Sequence, residues 1–393
     1  MKRLILLCHL MLLYVVVMAQ PQPDYYTSGI LDGKSGRELE LALRDIIYPH
    51  IKLSYNGLWE AYKTTDTAPV DSIPSGYTKT DLVYDMYAWM KYFPKFHSDN
   101  DHSQTGGINR EHSVPNSWWG GESGNAEAYT DLHHLVPADG AANNAKNNHP
   151  LGEKSENDGL TLSWPTQDKY HNGHLYVSKD HVCSRVWTVP SEMQDNFGDA
   201  AKVWEPADIY KGDFARMYLY VVCAYEGKIH WQTNYMFTSD NQNLTTIEPW
   251  ALELLLEWHR SDTVSQKELD RNNAVESLQH NRNPFIDFPE LVEFIWGDKN
   301  TEAFCLADAR CAYHEFHYSM DEYEKTDDHF VYQNDNKLII NTEGLVQIID
   351  VMGRVIVNEN VTTNGIDISH IDKGVYIVRI VGKDVMTQKI VVR

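Results

Sequence analysis

The hydrophobic pattern changes period near residue 320, and that break limits the possible folds more than any other feature of the chain. Before it, apolar residues recur at helical spacing. "GKSGRELELALRDII" puts Leu39, Leu43, Ile46 and Ile47 on one face. Ser35, with Glu38 three residues later, reads as a capping box at its start. "GDFARMYLYVVCAYE" (212–226), "EPWALELLLEWHR" (248–260) and "SQKELDRNNAVESLQ" (265–279) read as further helices, the first of them buried. Strand-like alternation is scarce before residue 330. Beyond it come the short β-rich runs "KLIIN", "LVQIID", "RVIV", "GVYIVRIV" and "QKIVV", punctuated by turn glycines. The expectation is an α+β chain. A mainly helical domain spans 20–319, the acidic stretch "MDEYEKTDDHF" at 320–330 is a linker, and a small β-sandwich occupies 331–393.

The N-terminus, "MKRLILLCHLMLLYVVVMAQPQP", has two basic residues, an apolar run and small residues at Val17 and Ala19. It reads as a secretory signal peptide over residues 1–19. Cys8 is a poor lipid-anchor site, because bulky Leu7 precedes it and polar His9 follows. No later apolar run reaches membrane-spanning length, so stable membrane insertion is not expected. Four cysteines remain after the signal: Cys183, Cys223, Cys305 and Cys311. Cys305 and Cys311 are close enough to close a small loop, while Cys183 and Cys223 can be bridged or simply buried.

The net charge of −22 opposes general polyanion binding by the whole molecule. A role on nucleic acid therefore needs a local site, with a divalent cation offsetting the repulsion. Such a site is suggested by "REHSVPNSWWGG" (110–121) and "DLHHLVPADGAANNAKNNHP" (131–150). Glu111 offers a carboxylate and Asn143 an amide oxygen, the hard donors that Mg²⁺ and Ca²⁺ prefer, and Mg²⁺ keeps several waters. His112 can serve as a base near neutral pH. Base and cation together suit phosphodiester hydrolysis: one activates water, and the other steadies the developing charge. Neighbours in a regular strand face opposite sides, so Glu111 and His112 can share a site only if the backbone bends or bulges. We expect a strand carrying both, packed against a short helix carrying Asn143. Each feature also has a plainer reading. A Glu-His pair is usually a solvated surface element, Trp118–Trp119 is more often core, and His133 and His134 more often make structural hydrogen bonds.

At these residues the chain resembles the bacterial endonuclease I family, nucleases of the ββα-metal class. "REHSVPNSWW" and "DLHHLVPADGAANNAKNNHPLGE" carry the resemblance. It continues through "WEPADIYKGDFARMYLYV", "LLLEWHRSDTVSQKELDRNN" and "HNRNPFIDFPELVEFIW". The resemblance implies His112 as general base and Glu111 and Asn143 as metal ligands. It further implies Mg²⁺ as the cation, with Ca²⁺ or Mn²⁺ as alternatives, and DNA, with RNA beside it, as substrate. The family often has Arg three residues beyond the Asn, where this chain has Lys146. The Arg-bearing insertion of some members is replaced here by the short "GGESGNAEAY". Lys146, Arg110 and Arg282 are thus the candidates for contacting phosphate. The segment "VQIIDVMGRVIVNENV…GVYIVRIVGKDVMTQKIVV" resembles the type A sorting domain of type IX secretion, implying that machinery as a partner and a secreted or outer-surface destination. Two other readings stay open. Glu111, His112, His133 and His134 could hold Zn²⁺ in a different hydrolase, or the chain could be a surface binding protein whose site has decayed. The sequence sets no oligomeric state.

Overall fold

A computed structural model describes residues 25–393, apart from residues 27, 68–81, 89–92, 95–107, 156–157, 167–168, 172–173, 177–182, 234, 310, 313–330, 335–336, 341–343, 351–354, 362–365, 372–373, 382–384 and 393. The expected signal peptide, Cys8 and the acidic linker lie outside the described residues. The chain divides into two compact units, Met1–Tyr313 and His314–Arg393.

The first unit is built of mixed helix and strand. Helix α1 (Gly36–Ile47) buries Leu39, Leu43 and Ile47, as its spacing predicts. Ser35 is its N-cap, but the side chain makes no capping hydrogen bond. Glu38 is instead drawn towards Lys34, 3.6 Å away. Helix α2 (Leu58–Thr65) follows. Strand β1 (Ile108–His112) and strand β2 (Leu135–Asp139) form an antiparallel pair. The chain passes from β2 directly into α3 (Gly140–Lys146). Strands β3 (Thr161–Trp164), β4 (Arg185–Thr188) and β5 (Lys202–Glu205) make a small sheet. These strands are four residues long, too short for alternation to stand out from sequence, so the expected scarcity of strands is corrected here. Helix α4 (Lys211–Ala224) is buried along its whole length. Helices α5 (Pro249–Ser261) and α6 (Gln266–Gln279) complete the part of the scaffold that matters below. The capping box falls on α6, where Ser265 and Glu268 satisfy each other's backbone groups.

Two buried networks fix this unit. In the first, Arg216 of α4 donates from Nη2 to Glu268 at 2.9 Å and from Nη1 to the Asp262 carbonyl at 2.8 Å. The second centres on Asp131, which is fully buried just ahead of β2. Its carboxylate accepts from the Tyr220 and Tyr225 hydroxyls, both at 2.7 Å, and from Gln279 Nε2 at 2.9 Å. Burial opposes its charged form, but the neighbouring imidazoles of His50, His133 and His134, with the Gln279 hydrogen bond, hold Asp131 well below the usual carboxylate range.

In the second unit, strands β6 (Val331–Asn334), β7 (Lys337–Ile340) and β10 (Ile366–Asp367) form a three-stranded sheet. Strands β8 (Gly344–Asp350), β9 (Val355–Val361), β11 (Gly374–Val381) and β12 (Val385–Val392) form a four-stranded one in the order β9-β8-β11-β12. One apolar cluster draws on both sheets, with Leu338 and Ile340 from the first and Val346, Ile348, Val378 and Ile380 from the second. Cys305 and Cys311 are not joined: Cys305 faces solvent while Cys311 is buried.

Two outcomes follow for stability. Arg216→Met leaves the Glu268 carboxylate buried without its partner and should lower the stability of the first unit in urea by about 3–5 kcal/mol. An unchanged denaturation midpoint would contradict this. His133 is pushed down to about 4, chiefly by burial, with Arg271 adding and Asp131 opposing. A histidine kept neutral in the fold but free to charge on unfolding costs stability as pH falls from its ordinary 6.5 towards 4. His133→Gln should therefore lose less stability than the wild type between pH 7 and pH 5.

Candidate active site

The β1–β2 ladder is regular over its whole length, pairing Ile108 with Asp139, Glu111 with Val136 and His112 with Leu135. The expected bulge at Glu111–His112 is therefore absent. Both side chains nonetheless reach one cleft, because it opens at the end of β1. There the chain leaves the ladder at Ser113, whose N–H still bonds the His134 carbonyl at 2.8 Å. The cleft holds about 250 Å³ and is lined by Glu111, His112, Asn116, Asn143, Asn147 and Asn148 among others. Helix α3 delivers Asn143 to it, as the sequence predicts. Asp139 starts that helix by accepting from the N–H groups of Ala141 and Ala142 at 2.8 and 3.0 Å. Asn147 ends it with a positive φ of 48°, and Asn147 and Asn148 line the rim.

Glu111 and Asn143 stand side by side, with the Asn143 side chain hydrogen-bonded to the carboxylate. Lys146 closes the other side, its ammonium 2.9 Å from Glu111 Oε1. Burial raises the Glu111 pKa, and Lys146 and Asn143 pull it back. Lys146 itself has no exposed surface and also reaches the His112 carbonyl at 3.4 Å. This corrects the expectation that it faces phosphate: it braces the carboxylate from within. Arg282 is equally buried, bound to Asp287 at 2.6 Å and to Glu276, and lines no part of the cleft. Arg110 is the half-exposed member of the three. Its guanidinium lies 3.5 Å from the centre of the Tyr55 ring, and Nη1 donates to the Tyr55 carbonyl.

His112 is held at both ring nitrogens. Nε2 lies 2.9 Å from the Tyr129 carbonyl oxygen. A carbonyl only accepts, so Nε2 carries the hydrogen. Burial, with His134 beside it, pushes the imidazole down to about 3, so the ring is neutral and Nδ1 bears the lone pair. Asn116 Nδ2 donates to that lone pair at 3.1 Å. The Tyr55 ring lies parallel to the imidazole at a centroid separation of 6.5 Å. Sequence reasoning passed over Tyr55, Asn116 and the Tyr129 carbonyl. Asn116 carried a signal, four residues beyond His112 in the same motif. A backbone carbonyl and a ring 57 residues upstream of the histidine carry none.

His133 and His134 face inward, His133 Nε2 against the Asn281 carbonyl at 3.2 Å and His134 Nε2 against the Ala128 carbonyl at 2.7 Å. No group of three or more His, Cys, Asp or Glu among the described residues could hold a metal ion. The four-residue zinc arrangement therefore has no geometric basis. The donor set at the cleft does fit a hard divalent cation. It offers one carboxylate with the Asn143 amide beside it, surrounded by further amides, with room for waters and a phosphate oxygen. Trp118 and Trp119 are core, 0% and 1% exposed.

The family model described as Endonuclease I matches residues 35–290, and that described as Secretion system C-terminal sorting domain matches residues 331–393. An extracellular ribonuclease of Bacillus amyloliquefaciens is 33% identical over 287 residues, covering 72% of this chain and 81% of that protein. An extracellular ribonuclease of Bacillus subtilis (strain 168) is 32% identical over 290 residues, covering 72% and 83%. Among the described residues no helix is long and apolar enough to cross a membrane. The chain belongs to the endonuclease I family and is a nuclease, secreted or displayed at the cell surface, that ends in a type IX sorting domain.

Proposed function

We propose that this nuclease is a divalent-cation-dependent endonuclease without sequence specificity that hydrolyses the phosphodiester backbone of DNA and also of RNA. Cleavage leaves 5′-phosphate and 3′-hydroxyl ends. The observation that carries the reading is the meeting of a neutral imidazole lone pair with a carboxylate–amide pair in one cleft. The ribonuclease names of the two Bacillus relatives support including RNA. We propose Mg²⁺ as the cation and Glu111 and Asn143 as the residues that hold it.

His112 works through Nδ1. Its Nε2–H stays on the Tyr129 carbonyl, so the ring cannot turn its lone pair away and always presents the same nitrogen to water. Nδ1 takes a proton from that water as its oxygen attacks phosphorus, and the resulting imidazolium keeps its donor bond to Tyr129. Lys146, 2.9 Å from the carboxylate, favours the ionised form of Glu111 against the burial that raises its pKa. A cation held by Glu111 and Asn143 supplies positive charge against the negative charge that develops on the phosphoryl and leaving oxygens. Arg110, half-exposed and stacked on Tyr55, approaches the substrate backbone from the next position along β1. These positive groups offset locally the −22 charge of the molecule. Delivery across the outer membrane by the type IX machinery places the activity where extracellular nucleic acid is its substrate.

Three outcomes test the reading. His112→Ala should slow plasmid cleavage by about 10²–10⁴-fold. Excess EDTA should abolish wild-type cleavage, and added Mg²⁺ should restore it. Cleavage near the wild-type rate in either case contradicts the mechanism. Arg110→Ala should weaken duplex binding at every sequence alike and flatten the slope of log K against log salt by about 0.9, the loss of one phosphate contact. An unchanged slope removes Arg110 from the interface.

A further inference from the structure

Asn116 stands in a chemically odd position. Its amide N–H donates to His112 Nδ1 at 3.1 Å, and that lone pair is the one that must receive the proton of the attacking water. An imidazole nitrogen has one lone pair and cannot serve both. The residue is held from behind and free in front. It opens the short turn Asn116–Trp118, which the buried Trp118 ring anchors, and Trp118 Nε1 ties that turn to the Asn148 carbonyl at 3.2 Å. The Asn116 side chain is half-exposed and lines the cleft with Glu111 and Asn143. Its carbonyl oxygen makes no hydrogen bond among the described residues.

We propose that Asn116 is a catalytic residue that seats the attacking water. The inference rests on the assignment of His112 as base. Half a turn of the amide exchanges its nitrogen for its oxygen. Two acceptors, His112 Nδ1 and Asn116 Oδ1, then face each other, and because they repel at the 3.1 Å of the present contact the half-exposed side chain swings outward until a water fits between them. Neither bonds the other, but a water between them donates one hydrogen to each. Both its hydrogens are then fixed, and a lone pair is left to point across the cleft towards phosphorus. On attack, the water oxygen bonds to phosphorus and one proton passes to Nδ1. The second hydrogen stays on the incoming oxygen, against Asn116 Oδ1. The bond from phosphorus to the 3′-oxygen breaks, its electron pair leaves with that oxygen, and solvent protonates it. The N–H contact in this structure is the resting arrangement: the same side chain covers the base with a donor, then serves it with an acceptor.

The test compares wild type, Asn116→Ala, Asn116→Asp and His112→Ala on a fluorogenic oligodeoxynucleotide in saturating Mg²⁺, with thermal midpoints measured to confirm folding. Asp keeps an acceptor oxygen and loses the N–H donor, so it separates the two roles. Asn116→Ala should lose about 10- to 100-fold in kcat, the cost of a misplaced reactant. Its KM should stay within about twofold, because a water held for attack contributes little to substrate binding. Asn116→Asp should recover at least about fivefold of the lost kcat, since the acceptor that orients the water remains. Asn116→Ala with wild-type kcat beside an inactive His112→Ala overturns this inference and leaves the base in place. Asn116→Asp no faster than Asn116→Ala also overturns it, because the contribution would then come from the N–H donor. A rise in KM matching the fall in kcat/KM makes Asn116 a binding residue and overturns it equally. A fully active His112→Ala would instead overturn the assignment of the base on which the inference rests.

Discussion

The hydrogen bond from His112 Nε2 to the Tyr129 carbonyl sets the chemistry of the whole cleft. A neutral imidazole has one donor and one acceptor, so fixing the donor fixes which nitrogen can take a proton. Much of the surrounding structure keeps that bond in place. Asp131 gathers Tyr220, Tyr225 and Gln279 and so pins the segment that follows Tyr129. The β1–β2 ladder holds the histidine in register opposite Leu135. Trp118 and Trp119 fill the core beneath the turn that brings Asn116 over the ring. Burial keeps the imidazole uncharged, with the Nδ1 lone pair unprotonated.

The second constraint is charge. A carboxylate in a buried setting tends to protonate, and a protonated Glu111 would be a poor ligand for a hard cation. Lys146 opposes this from the protein side, with no exposed surface of its own. The division of labour explains why a chain of −22 can still act on a polyanion. One cation, Lys146, sits inside against the Glu111 carboxylate. Arg110 lies half-exposed over Tyr55 and Trp59 and is the proposed phosphate contact.

Much of this was legible in the sequence wherever a regular period or a local motif carried it. Leu39, Leu43 and Ile47 announced α1, and the alternating runs from residue 337 onward announced the strands of the second unit. Glu111, His112 and Asn143 were named from chemistry and resemblance, and they stand around one cleft. What stayed hidden depended on distance in the chain or on backbone atoms. Strands such as Arg185–Thr188 are too short to show a period and form because partners far away complete the ladder. The capping box suggested at Ser35 formed instead at Ser265, since the motif gives only the donors and acceptors and not which neighbour competes for them. Arg282 and Lys146 looked like free cations in sequence, but burial gave each a carboxylate partner. A one-dimensional reading counts charges and cannot see which of them are already neutralised.

Glu111 and Asn143 are proposed to form a single cation site. Calorimetric titration of Mn²⁺ into the nucleic-acid-free protein tests it most directly, because binding is read without any cleavage. One site in the wild type that disappears in both Glu111→Gln and Asn143→Ala is the predicted result. Wild-type binding isotherms in both variants would place the cation elsewhere and contradict the account.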